Sequence, residues 1–351
     1  MAGMQTATWA PTAISGPRLL RGQGPVRDLA NRSGAELRGR LSDPVARAES
    51  LGIDHLLIAQ RWWGTGTDIE ASSYDCFAMT AYYAAITSRI HLVTAVHPGF
   101  VLPGVIAKWA ATIDRLTEGR WSINITSGWH LQEFAMFGAD CPPHDERYER
   151  SAEFLTVLRG AWENDQFSFK GKYYTVEDLR IDPPPFSPRL AIWQGGQSEA
   201  AQRMAASQSD WMFLNGGPPE KIGPIIDRVR TMARARGRDV RFALYAIPFC
   251  RETDEEAEAS IASMVAAVDP QRVAERRSRV SGAEGMWAES PDPLTTLDSN
   301  EGFASRLIGS PATILRRLRQ FQDLGVDCVL LTLNDERFVT EVLPRAQRGD
   351  W

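Results

Sequence analysis

The sequence is poor in residues that build metal centres and covalent cross-links. Its four cysteines, Cys76, Cys141, Cys250 and Cys328, stand far apart without a CxxC pair. Its five histidines follow neither HxxxH nor HExxH spacing, so a metal site has little support and none is expected. No stretch approaches the roughly 18 uninterrupted apolar residues of a membrane-spanning helix. The opening "MAGMQTATWAPTAISG" has neither the basic start nor the apolar run of a secretory signal. A net charge of −5 provides no overall basic field for nucleic acid or an anionic membrane. The Arg-rich runs "RVAERRSR" (272–279) and "LRRLRQ" (315–320) read as solvated helix faces. These features together read as a reduced, cytoplasmic protein.

What is present is a full-sized core in waiting. Of 351 residues 43% are hydrophobic and 24% charged, which suits one large domain spanning 1–351. Short β-branched runs at 6–9, 55–59, 90–96, 121–126, 190–193, 210–214, 240–247 and 328–333 read as strands. Between them lie segments such as "VIAKWAATIDRLTEG" and "EKIGPIIDRVRTMARARG", whose apolar residues recur at helical steps. Gly52, Gly119, Gly237 and Gly325 sit where such helices would stop. Eight strand–helix repeats predict a TIM (β/α)8 barrel. An open doubly wound sheet is the rival, but no strand–GxGxxG–helix unit opens the chain. Two stretches exceed a minimal barrel: "HLQEFAMFGADCPPHDE" after the fourth strand, and 269–310 between strands seven and eight, which reads as a mobile lid.

Barrels bind ligands at the carboxyl ends of their strands. Strand two ends in "IAQRWWGTG", strand three in "TAVHPGF", strand four in "NITSGWHLQE" and strand five in "WQGGQSEAA". Gly195 and Gly196 allow a ligand close to the backbone, and Ser198 suits the N-cap of the following helix. Unpaired N–H groups there favour a phosphate, and Arg147 and Tyr148 of "HDERYERSAEF" could reach the same group. Trp62, Trp63 and Trp129 fall at strand ends, where indoles can stack on a planar ring. His97 is the candidate for moving a proton, on the expectation that histidine titrates near neutrality; His130 is a weaker second.

The motifs "ATIDRLTEGRWSINITSGW", "ERYERSAEF", "FKGKYYTV", "IWQGGQSEAAQRMA" and "RLIGSPATI" recur in order. As a set they resemble the bacterial-luciferase-like two-component flavin monooxygenases. The resemblance is strongest to the dimethyl sulfone type, with the alkanesulfonate and pyrimidine types as relatives. It covers about 51–345 and includes "HDERY", "SDWMFLNG" and "GAEGMWAES". It implies reduced FMN and O2 as co-substrates, the flavin supplied by a separate NAD(P)H-dependent reductase, and a homodimer or homotetramer. Oxygen would be activated as a flavin peroxide, at C4a or N5, to oxygenate a small organosulfur substrate with C–S cleavage. The alternatives are a pyrimidine- or xenobiotic-type monooxygenase and a deazaflavin-dependent oxidoreductase.

By matching position, Gln60 and Arg61 would line the flavin, Asn124 would bond its ring edge and Glu133 would touch it from the loop beyond. Arg147, Tyr148, Gly196 and Ser198 would hold the phosphate, and Trp62, Trp63, Trp129 and Tyr245 would face the substrate. Tyr245 and Ile247 stand where the alkanesulfonate enzymes place Arg and His, and Ser73 stands near their Cys. A mouth without those cations implies a neutral or weakly polar substrate. The N-terminal fifty residues match poorly, which leaves the wall built by strand one open.

Overall fold

A computed structural model describes residues 3–12, 33–62, 73–279, 292–298 and 300–351. The strands are β1 (Gln5–Trp9), β2 (His55–Ile58), β3 (His91–Val96), β4 (Trp121–Ile125), β5 (Phe167–Lys170), β6 (Thr175–Leu179), β7 (Ile192–Gly195), β8 (Trp211–Leu214), β9 (Arg241–Ala246), β10 (Phe249–Cys250), β11 (Ile308–Gly309) and β12 (Cys328–Leu331). The helices are α1 (Gly34–Ser50), α2 (Cys76–Ile86), α3 (Pro103–Leu116), α4 (Leu131–Met136), α5 (His144–Glu163), α6 (Glu199–Gln208), α7 (Pro219–Arg234), α8 (Asp254–Ala266), α9 (Pro270–Arg279), α10 (Pro311–Leu324) and α11 (Leu343–Arg348).

Eight strands close into a parallel barrel in the order β1-β12-β9-β8-β7-β4-β3-β2. These are the eight runs expected from the sequence, including β1, which pairs with both β2 and β12. Closure follows from side chains that alternate between two apolar environments. On β8, β9 and β12 the residues Trp211, Phe213, Ala243, Tyr245, Cys328 and Leu330 fill the barrel interior. Their neighbours Met212, Leu214, Phe242, Leu244, Val329 and Leu331 pack outward against the helices. Strands buried on both faces read as continuous apolar runs, which is why the runs were visible in the sequence.

Helix ends carry local signals too. Ser33 and Glu36 form a reciprocal capping box at the start of α1. The four glycines expected to stop helices all have positive φ, from 66° to 95°. The α5–β7 connection adds an antiparallel β5–β6 hairpin outside the barrel, an element not expected from the sequence. No helix among the described residues is long and apolar enough to cross a membrane.

The described parts of 269–310 do not stand apart as a lid. Leu294, Leu297 and Phe303 share an apolar cluster with Ile261 of α8. Gly216 donates its N–H to Asn300 O (3.1 Å), and Ser305 donates its hydroxyl to Tyr245 O (2.7 Å). Lys221 pairs with buried Glu301 at 3.0 Å. The return arm of this insertion is thereby anchored to the ends of β8 and β9. The segment "GAEGMWAES" lies outside the described residues.

Candidate active site

The carboxyl ends of the strands gather polar groups that the barrel itself leaves unsatisfied. Gln60 follows β2 and accepts the His97 backbone N–H through Oε1 at 2.8 Å. That bond ties the ends of β2 and β3 together and turns the amide nitrogen away from the ladder. Gln60 Nε2, His97 Nδ1, Asn124 Oδ1, Gln197 Oε1 and Asn215 Nδ2 are all buried without a hydrogen-bond partner among the described residues. Each such atom costs roughly 1–3 kcal/mol unless a ligand or water meets it. Five at the ends of β2, β3, β4, β7 and β8 mark a surface built to receive a polar molecule.

Next to them is the glycine turn that opens α6. Ser198 is the N-cap of α6 and accepts from Ala201 N–H at 3.3 Å, so the expected cap is present. Gly196 has φ +127°, and a Cβ there would lie 2.9 Å from Tyr148 Oη. Only glycine lets the phenol of α5 come down over this turn, which brings Tyr148 against Gly196, two residues before the Ser198 cap. Arg147 is buried one residue earlier on α5, with its guanidinium 3.5 Å from Cys141 Sγ and Pro142 O.

Arg61 and Glu133 lie close enough that the carboxylate supports the guanidinium charge, although burial dominates and lowers the Arg61 pKa to about 10. Glu133 is buried on α4 and accepts the Trp62 backbone N–H, so it organises the loop after β2. His130 caps α4, accepting the Glu133 N–H at Nδ1 (3.2 Å). Burial holds its pKa below the usual range.

A cavity of about 730 Å³ opens on the neighbouring arc, between the ends of β9, β12, β1 and β2. Tyr245, Ile247, Arg61 and Ser73 line it, as does Trp9, whose ring meets those of Phe213 and Tyr245 edge-on at 5.9 and 6.0 Å. Asp298 of the insertion also lines it. Burial raises the Asp298 pKa to about 6 although it accepts backbone N–H groups from Asn300 and Gly302.

Three sequence expectations need revision. His97 does not titrate near neutrality: burial pushes its pKa down to about 4, so the ring is neutral at pH 7. It can share a hydrogen bond but is a weak proton acceptor. The run 272–279 is not wholly solvated, because Arg276 is only 2% exposed. Arg276 lies 5.3 Å over the Trp129 ring, and burial, with Arg61 nearby, lowers its pKa to about 9. The mouth is therefore not free of cations; the insertion supplies one that strand seven lacks. The signal that could have found it was helical spacing, since Val273 and Arg276 share the buried face of α9. Trp62 packs among Phe77, Phe100 and Phe137 at 6.0–6.4 Å, and Trp63 lies outside the described residues.

Comparison with known proteins gives this geometry a family. The model of the luciferase-like monooxygenases matches residues 27–328. The chain belongs to that family. It is 38% identical over 291 residues to an FMNH2-dependent dimethylsulfone monooxygenase of Pseudomonas fluorescens, covering 81% of this chain and 79% of the relative. It is 37% identical over 292 residues to the Pseudomonas putida protein of the same name, with the same coverage. Among solved structures, a long-chain alkane monooxygenase superposes with a TM-score of 0.78 at 17% identity, covering all of this chain and 92% of that one. That last likeness supports the luciferase-like barrel and no more.

Proposed function

We propose that this luciferase-like chain is an FMNH2-dependent monooxygenase acting on a small organosulfur substrate, a sulfone or a related compound, with C–S cleavage. The observation that carries the reading is the row of five partnerless buried polar atoms beside the Gly196–Ser198 turn. A flavin ring has alternating donors and acceptors along one edge and a phosphate on its tail; the mixed donors and acceptors fit the edge and the Gly196–Ser198 turn fits the phosphate. The relatives named above supply the class of reaction.

When bound, the reduced flavin supplies the electrons that activate O2, delivered by a separate NAD(P)H-dependent reductase. Around it, Gln60 and Asn124 would meet the ring edge while Ser198, Tyr148 and Arg147 would meet the phosphate. Glu133 fixes the loop carrying Arg61, which borders the cavity where the substrate would sit. Arg61 and Arg276 place two guanidinium charges near each other, a field that favours sulfonyl oxygens. Tyr245 and Trp9 contribute apolar walls that exclude water, and Trp129 packs under Arg276. His97, neutral at pH 7, would hold a hydrogen bond in the ring plane rather than a charge. A homodimer or homotetramer is proposed for the assembly.

The test is an anaerobic titration with photoreduced FMN followed by tryptophan fluorescence, with reduced riboflavin as the phosphate-free control. Tight FMN and weak riboflavin binding, then consumption of reduced flavin coupled to dimethyl sulfone, is the expected result. Failure to bind reduced FMN would sink the reading and send the search to a deazaflavin.

A further inference from the structure

A second cavity, of about 650 Å³, lies on the outside of the barrel mouth, between the turn after β3, the loop 138–142 and the β5–β6 hairpin. Its volume falls in the range of small-molecule sites. Two features of its wall point to one kind of ligand. Arg150 of α5 lines it and is only 7% exposed. Its Nη1 donates to Asp140 O at 2.9 Å, but Nε and Nη2 have no hydrogen-bond partner among the described residues. The guanidinium lies 5.7 Å over the Phe134 ring, and no described carboxylate pairs with it. A buried guanidinium without a counter-ion is costly, and an anion brought into this cavity would remove that cost.

The second feature is Cys141, whose thiol is exposed at the same wall and lies 3.5 Å from Arg147 Nη1. The other three thiols are buried. Burial raises the pKa of Cys250 to about 12 and pushes Cys76 and Cys328 well up. Three inert thiols thus contrast with one accessible thiol next to two guanidinium groups.

We propose that Cys141 is a site of reversible S-thiolation by low-molecular-weight disulfides carrying carboxylates, with Arg150 as the group that receives the carboxylate. The Cys141 thiolate attacks one sulfur of the incoming disulfide, forming a protein–ligand S–S bond. The other half leaves as a thiolate and takes a proton from solvent, so one protein thiol is oxidised as one half of the disulfide is reduced. The flavin has no part in this step, so the chemistry stands or falls apart from the oxygenase reading.

The test exposes the full chain to oxidised glutathione, which carries carboxylates, and separately to cystamine, which is cationic. Adduct formation is followed by intact mass and peptide mapping. Each rate is divided by that of an unstructured peptide carrying the same cysteine. The expected result is an adduct on Cys141 alone, with a glutathione-to-cystamine preference about tenfold above the peptide's, in line with steering by local charge. Arg150→Gln should reduce the preference to the peptide value, and Arg150→Lys should retain part of it. A preference in the unmutated chain equal to the peptide's, or an adduct on another cysteine, would overturn the proposal even if neither Arg150 variant folds.

Discussion

The two ends of the barrel both carry histidine and tryptophan and put them to different uses. On the floor, Trp193 and Trp211 stack with centroids 4.3 Å apart and planes 10° from parallel. Arg241 covers Trp211 at 4.0 Å, and His55 meets both rings edge-on at 5.1 and 5.8 Å. His91 shares a 2.7 Å bond with Ser122 Oγ. Among the floor residues just named, His55 Nδ1 is left without a partner; the mouth leaves such atoms on Gln60, Trp62, His97, Asn124, Gln197 and Asn215. Burial lowers the pKa of His55 and His91 to about 4 and about 3, as it does that of His97 at the mouth. A depressed histidine therefore does not by itself mark a functional end. Partnerless amides beside a glycine turn mark it better, and conformity with packing marks the floor.

Acid should break the comparison most severely, because it attacks both ends together. His55, His91 and His97 have folded pKa values below 6.5, so the unfolded chain binds more protons between pH 6.5 and about 4. Their contribution is fully present above pH 6.5 and is lost as pH falls toward the folded values. Circular dichroism at stepped pH should show cooperative unfolding in that window. His91→Phe, which takes up no proton there, should lower the midpoint; an unmoved midpoint would remove this histidine from the account.

Trp211→Ala separates the ends. It should cost ~3–5 kcal/mol in urea unfolding, as for a buried large aromatic. Reduced-FMN affinity per folded molecule should stay unchanged, and a matching loss of affinity would mean the floor supports the mouth directly. Asn124→Ala is the converse: about tenfold weaker reduced-FMN binding and more peroxide leakage, for one lost hydrogen bond of ~1–2 kcal/mol, with little change in urea midpoint. Full coupling in that variant would count against the ring contact. The smallest and most selective effect is expected from Ser198→Ala. It should lose ~1 kcal/mol of stability with the N-cap, and weaken FMN while leaving riboflavin binding alone. Equal weakening of both ligands would put the phosphate elsewhere.

The eight strands were legible because parallel barrel strands are buried on both faces, which makes each a compact apolar run. The Gly196–Ser198 turn was legible for a related reason: glycine and a capping serine at a strand–helix turn carry their conformational meaning locally. Arg276 was legible only in part: helical spacing puts it on the face of Val273, but its burial against Trp129 depends on packing that nothing within "RVAERRSR" announces. His97 was placed correctly at the end of β3 but its charge state was misjudged, because a pKa is set by surroundings that sequence neighbours do not contain. The cavity around Arg150 drew on three separated segments and had no sequence signature at all.

The stacked pair on the floor also makes the molecule its own optical reference. Two nearly parallel, stacked indoles at 4.3 Å couple their electronic transitions, so Trp193 and Trp211 should contribute an exciton signal in circular dichroism that reports whether the barrel is closed. Trp9 lines the cavity at the mouth and would be quenched by an occupant. Occupancy and integrity can then be recorded from one unlabelled sample at the same time.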